Sequence, residues 1–175
     1  GVKLSKTQCP TTAEDREKMK DVPYASAIGS IMYAMLCTRP DACLAISLAG
    51  RYQHNLGVDH WTTVKNILEY LKRTKDMLLV YGGDKELIIN GYIDASFDTD
   101  SDDSKSQSGY VFLLNGGAVS WCSSKQSVVA GLSVKQSTEL LRKQQMNVAD
   151  PLTKPLSRAK LDQHQDSMGV RIITM

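Results

Sequence analysis

The sequence predicts an α+β fold: a helical segment over residues 1–75, then a β-rich domain over 76–175 holding a three-stranded antiparallel meander. Three observations carry this. Apolar residues recur at helical spacing only as far as Lys75. From Met77 the apolar runs shorten, become β-branched and aromatic, and are separated by glycine-rich turns. Between two of those runs stands Asn115-Gly116, the dipeptide that suits a tight hairpin because both positions tolerate positive φ.

Taken in order, residues 1–22 are polar, and Thr12–Lys20 has the charge pattern of a short surface helix. Pro23 opens an apolar helix, Tyr24–Leu36, whose near-continuous hydrophobicity predicts burial on all sides. Gly29 and Ser30 are small enough to admit a neighbouring helix there. Thr38-Arg39-Pro40-Asp41 breaks the pattern, with Asp41 as the expected N-cap of a helix over Ala42–His54. After Asn55-Leu56-Gly57, Trp61, Val64, Ile67, Leu68 and Leu71 form one stripe of a helix over Asp59–Lys75. Lys65, Lys72, Arg73 and Lys75 lie off that stripe. They either complement the helix dipole in its last turn or form a basic ridge for a phosphate backbone.

Met77–Tyr81 and Leu87–Ala95 read as strands, as do Tyr110–Leu114 and Ala118–Ser123. The polar stretch 98–109 alternates acids like a calcium loop. It has Asp103 where such a loop needs glycine and Gly109 where it needs glutamate, so it reads as a solvated connection. Ser127–Leu141 has no clean period and reads as a poor strand or a frayed helix. Asp150-Pro151 has a helix-start signature, Ser157 caps a helix over Arg158–Met168 that Gly169 stops, and Val170–Met175 is a tail.

Composition excludes several classes. Hydrophobic residues are 42% and charged residues 23%, which is globular. A formal charge of +2 is too small to argue nucleic-acid binding from the whole field. Cys9, Cys37, Cys43 and Cys122, with His54, His60 and His164, show no metal-site spacing; free thiols, no zinc and an intracellular (cytoplasmic or nuclear) location are expected. No apolar run has the length of a membrane span, and no secretory signal is present. The chain opens Gly1-Val2-Lys3-Leu4 without an initiator Met, as a piece of a longer protein or a processing product would.

The residue of greatest chemical interest is Asp94, at the end of Leu87-Ile88-Ile89-Asn90-Gly91-Tyr92-Ile93. A carboxylate on a central strand costs desolvation energy unless a cation pairs with it. Bound Mg²⁺ is one such partner; an Asp at the strand end, open to water, is the other reading.

Several blocks together resemble the C-terminal part of copia-type retrotransposon Pol polyproteins. Pro23-Tyr24-Ala25-Ser26-Ala27-Ile28-Gly29-Ser30 through Thr38-Arg39-Pro40-Asp41 is similar to the segment following the reverse-transcriptase palm. His60-Trp61 through Tyr70-Leu71-Lys72-Arg73-Thr74 resembles the helix leading to ribonuclease H. Gly91-Tyr92-x-Asp94, Lys105-Ser106-x-Ser108-Gly109-Tyr110 and Gly116-Gly117-Ala118-Val119-x-Trp121 resemble the start of that domain, and Asn147-x-Ala149-Asp150-Pro151-Leu152-Thr153-Lys154 its last catalytic block. The resemblance implies a helical thumb or connection followed by a ribonuclease H-like domain, which cuts the RNA strand of an RNA–DNA hybrid with two Mg²⁺ ions held by carboxylates. Asp94 matches the first carboxylate and Asp150 the last, so these two are the expected catalytic and metal-binding residues.

The departures are as informative. Gln136 stands where the second carboxylate belongs, and Glu139 replaces it only by sliding one helical turn. The interval from Leu141 to Asn147 is too short for the helix, strand and helix that carry the third, so the domain reads as internally truncated. No polymerase motif is present; Ser101-Asp102-Asp103 lacks the tyrosine. These features point to a catalytically dead remnant. The alternative is a non-catalytic module in which Lys65, Lys72, Arg73 and Lys75, with Lys154, Arg158 and Lys160, grip an RNA–DNA hybrid.

Overall fold

A computed structural model of the chain describes residues 4–83, 86–96, 102, 105–126 and 147–172. The stretch 127–141, with Gln136 and Glu139, lies outside the described residues, as do residues 98–101, 103 and 104 of the polar loop. Asp102 of that loop is not merely solvated: its carboxylate accepts from the Lys6 amide at 2.8 Å and the Tyr52 hydroxyl at 3.0 Å.

The first part is helical, as the periodicity predicts. Helix α1 spans Ala13–Met19, and the Thr12 hydroxyl accepts from the Asp15 amide at 3.1 Å. Helix α2 spans Tyr24–Thr38 and buries Tyr24, Ile28, Ile31 and Met35. Burial on all sides is not what the structure shows: Tyr33 is 73% and Leu36 60% exposed. Nor does a helix approach at Gly29, where an added Cβ would meet nothing within 4 Å.

The expected helix over Ala42–His54 is shorter, α3 (Cys43–Ala49), flanked by 3-10 turns Pro40–Ala42 and Gly50–Tyr52. Helix α4 (Val58–Arg73) buries His60, Val64 and Ile67. Its inward arc is centred slightly to one side of the expected stripe, which leaves Leu68 42% exposed. His60 closes the first turn. Its Nδ1 accepts from the Gly57 amide at 2.9 Å, Nε2 donates to the Ser5 carbonyl at 3.2 Å, and its ring stacks on Tyr52.

Strand β1 (Met77–Leu79) pairs antiparallel with β5 (Val170–Ile172), so part of the expected tail is a strand. The meander is present: β2 (Ile89–Ser96), β3 (Gln107–Leu114) and β4 (Gly117–Lys125) lie in the order β2-β3-β4, all antiparallel. Asn115 and Gly116 have φ of 47° and 80°, the doubly positive turn that the sequence demands. Helix α5 (Arg158–Ser167) ends at Gly169. Ile28, Ile31, Ile46 and Val64 from the helices share one apolar core with Val111, Leu113, Leu152, Met168 and Val170.

Asp41 is not a helix cap. Its carboxylate is buried and takes a two-point contact from Arg39, with Nε–Oδ1 at 3.0 Å and Nη2–Oδ2 at 2.7 Å. Oδ2 also accepts from the Tyr70 hydroxyl and, at 2.9 Å, from Gln165 Nε2. Arg39 continues to the Thr74 carbonyl and hydroxyl at 3.2 and 2.7 Å. One buried carboxylate thus ties the end of α2 to α4 and α5. Burial alone would raise the Asp41 pKa, but the Arg39 hydrogen bonds and charge outweigh it and hold the carboxyl below its ordinary range.

Two predictions follow from this packing. Asp41→Ala strands a buried guanidinium, and urea denaturation should show a loss of about 3–5 kcal/mol. Burial lowers the His60 pKa below its ordinary 6.5. The folded state therefore favours the neutral ring, a contribution complete above pH 6.5 and lost as pH falls toward the lowered value. Unfolding free energy should decline over that window in the native chain and decline less in His60→Gln.

Candidate functional site

The site grows from β2, whose alternation turns Tyr92, Asp94 and Ser96 toward the packed side of the sheet. Asp94 is only 3% exposed, which rules out the water-facing reading of its carboxylate. Its cross-strand partner on β3 is Gly109. The absence of a side chain at Gly109 opens a slot into which the segment 147–154 docks. A Cβ at Gly109 would come within 2.6 Å of Leu152 Cβ and 3.1 Å of Thr153 Cγ2.

That segment is held at several points. Asn147 Nδ2 donates to the Ile93 carbonyl at 2.7 Å, while its Oδ1 accepts from the Ala149 amide at 3.0 Å. The Ser123 hydroxyl donates to the Leu152 carbonyl and accepts from Gln107 Nε2 at 2.7 Å. Asp150 does not cap an α-helix as expected; it begins a 3-10 turn, Asp150–Leu152, capped by Ala149. The tight turn puts Leu152 and Thr153 inward, both essentially unexposed.

The Thr153 hydroxyl donates to Asp94 Oδ2. Lys154 Nζ lies 3.0 Å from Asp150 Oδ2 and 3.9 Å from Asp94 Oδ2. Asp94 and Asp150, far apart in sequence, therefore meet around a single ammonium. His164, on α5, is buried close by; burial lowers its pKa, against the charge of Asp150, and its Nδ1 has no hydrogen-bond partner among the described residues.

Magnesium demands near-octahedral oxygen coordination, about six ligands at about 2.0–2.1 Å. Among the described residues no three of Asp, Glu, His and Cys gather where an ion could be held. The space between the two carboxylates is reached instead by the Lys154 ammonium, whose charge repels a divalent cation. This donor set does not fit a pair of Mg²⁺ ions. What it can do is satisfy a buried carboxylate and fix the segment 147–154 to the sheet.

The basic residues are more dispersed. Lys65, Lys72, Arg73 and Lys75 are exposed on α4 or just past its end, and Arg73 is paired with Glu69. Lys154 is committed to the carboxylates, Arg158 pairs with Asp162 at 3.0 Å, and Lys160 is exposed on α5. Thr153, Gly109 and Asn147 also build the site, though the sequence shows them only as members of longer motif blocks. A signal existed for one: Thr153 and Lys154 stand three and four residues after Asp150, which any helical turn brings to the same side.

These features define a mixed helix-and-sheet protein in which the segment 147–154 docks beside Asp94 on the sheet, and comparison with known proteins gives its relatives. The chain is 49% identical over 129 residues to the retrovirus-related Pol polyprotein from transposon TNT 1-94 of Nicotiana tabacum, covering 74% of this chain and 10% of that one. It is 34% identical over 108 residues to a putative transposon Ty5-1 protein of Saccharomyces cerevisiae, covering 61% of this chain and 35% of that one. It is also 43% identical over 114 residues to the secreted RxLR effector protein 161 of Plasmopara viticola, covering 64% of this chain and 79% of that protein. The chain belongs to one family with this last relative, and its homology to transposon Pol polyproteins is of the copia type. It spans about a tenth of the length of the tobacco polyprotein. No family model matches the chain, and no solved structure matches it.

The docking carries its own prediction. Thr153→Val removes a hydrogen bond to a buried charge and should cost about 1.5–3 kcal/mol in urea denaturation. Gly109→Ala, by forcing Leu152 and Thr153 off the sheet, should cost about 1–3 kcal/mol.

Proposed function

We propose that the chain corresponds to the reverse-transcriptase thumb or connection and the ribonuclease H region of a copia-type transposon Pol polyprotein, as a remnant that has lost hydrolysis of RNA in RNA–DNA hybrids. The sequence blocks support the regional assignment, as does the homology to transposon Pol polyproteins. The observation that carries it is the meeting of Asp94 and Asp150 around Lys154. A docked last block beside the first carboxylate is what such a nuclease domain needs, but two carboxylates sharing one ammonium offer too few oxygen ligands for two ions. Gln136 in place of a carboxylate removes a further ligand. When bound in an intact enzyme of this kind, the metal pair activates water and stabilises the leaving oxygen. In this chain the Thr153 hydroxyl donates to Asp94 and the Lys154 ammonium faces it.

The exposure of Lys65, Lys72 and Lys75 favours a second reading, retention of a hybrid on α4 without cleavage. Binding of that kind weakens steeply with added salt because each phosphate contact releases counterions.

The test is cleavage of a labelled RNA–DNA hybrid with magnesium present. The expected result is no product beyond that of Asp94→Asn. Metal-dependent cleavage that vanishes in Asp94→Asn would overturn the proposed loss. Hybrid retention in the same samples, measured across a salt series, separates the binding reading: a steep loss with salt supports it and no retention dismisses it.

A further inference from the structure

Strand β2 has a partner on one side only among the described residues: in the order β2-β3-β4 it forms an edge. The direction of its backbone groups can be read from two contacts. Ile88 donates its amide to Asn115 Oδ1 at 2.8 Å and accepts from the Asn115 amide at 3.0 Å, so its backbone faces β3. The Ile93 carbonyl is taken from the other side by Asn147 at 2.7 Å. By strand alternation, Leu87, Ile89 and Gly91 turn their amides and carbonyls to the open edge.

The side chains along this edge are apolar and exposed. Leu87 is 78%, Ile89 69% and Ile93 71% exposed, and they adjoin the outer-face rings of Tyr110 and Phe112, 5.7 Å apart. Residues 87–93 contain no charge and no proline, the devices by which edge strands avoid pairing. The opposite edge of the sheet is engaged at Ala118, whose amide donates to the Met168 carbonyl at 2.9 Å and whose carbonyl accepts from the Tyr81 hydroxyl at 3.0 Å.

We propose that two copies of this chain join by antiparallel pairing of their β2 edges over residues 87–91, giving a continuous six-stranded sheet across a two-fold axis at Ile89. The occupant is a second copy because this edge is its own complement. With the axis at Ile89, Leu87 of each copy pairs with Gly91 of the other, and no like charges are opposed. Gly91 carries the Phe112 ring against it, where an added Cβ would lie 2.7 Å from Phe112 Cε1, so the incoming Leu87 meets that ring. Asn147, by occupying the Ile93 carbonyl, stops the pairing short of Asp94. At the opposite edge the Ala118 backbone is already taken by Met168 and Tyr81, so the β2 edge is the one offered for pairing. This surface is separate from the carboxylate site, and its test does not depend on the proposed function.

The experiment is light scattering on the full chain after size exclusion, over a dilution series, paired with amide exchange. The expected mass is twice the 19.3 kDa of one chain, falling toward one chain on dilution. Ile89→Lys, which puts two ammonium groups face to face on the axis at a position exposed in the single copy, should give the monomer with an unchanged circular dichroism spectrum. Protection of the Ile89 and Gly91 amides should rise with concentration. A monomer at every concentration, a dimer indifferent to Ile89→Lys, a ladder of larger species, or protection independent of concentration would each overturn the proposal.

Discussion

A carboxylate nearly sealed from water at the end of β2 is the constraint to which the second half of this protein answers. Removing an ionised group from water is tolerable only with charge and hydrogen bonds supplied in return. At Asp94 the supply comes from Thr153 and Lys154, and for those to arrive the chain must return to the sheet from far along the sequence. The bare backbone of Gly109, the inward Leu152 and the anchoring Asn147 all serve that return. Asp150 is brought beside Asp94 by the same turn, so the juxtaposition of the two acids is a consequence of docking as much as a trace of chemistry.

A second buried acid plays the corresponding part among the helices. Asp41 gathers Arg39, Tyr70 and Gln165, and through Arg39 it reaches Thr74. Apolar packing alone would let α2, α4 and α5 slide on one another. A two-point guanidinium contact with satisfied neighbours restricts them to one arrangement, because any shift leaves a charge unpaired in the interior.

Much of this was legible in the residues. The helices to Arg73, the meander, the Asn115-Gly116 turn and the stop at Gly169 follow from periodicity and turn chemistry, which act locally. The failures share a cause: they concern which neighbour a residue meets. Tyr24–Leu36 is apolar all round, yet only one face finds a partner. Asp41 has the right position for a cap, but Arg39, two residues before it, and α5, far along the chain, claim its carboxylate. Val170–Ile172 looks like a tail because its pairing strand, β1, lies some ninety residues earlier. At the site, Asp94 stands out by its place on an apolar strand, whereas Asp150 as its companion was identifiable only through the resemblance. The spacing puts Lys154 beside Asp150, but that the same ammonium also reaches Asp94 depends on how the segment docks on the sheet.

The homology places the chain among relatives of copia-type transposon Pol polyproteins, and the loss of metal-dependent hydrolysis proposed above makes metal binding at Asp94 and Asp150 the point to test. Magnesium titration of the full chain, followed by calorimetry with Asp94→Asn alongside, addresses this most directly. The structure predicts no saturable uptake that distinguishes the two proteins. Two ions bound per chain, lost in Asp94→Asn, would contradict it.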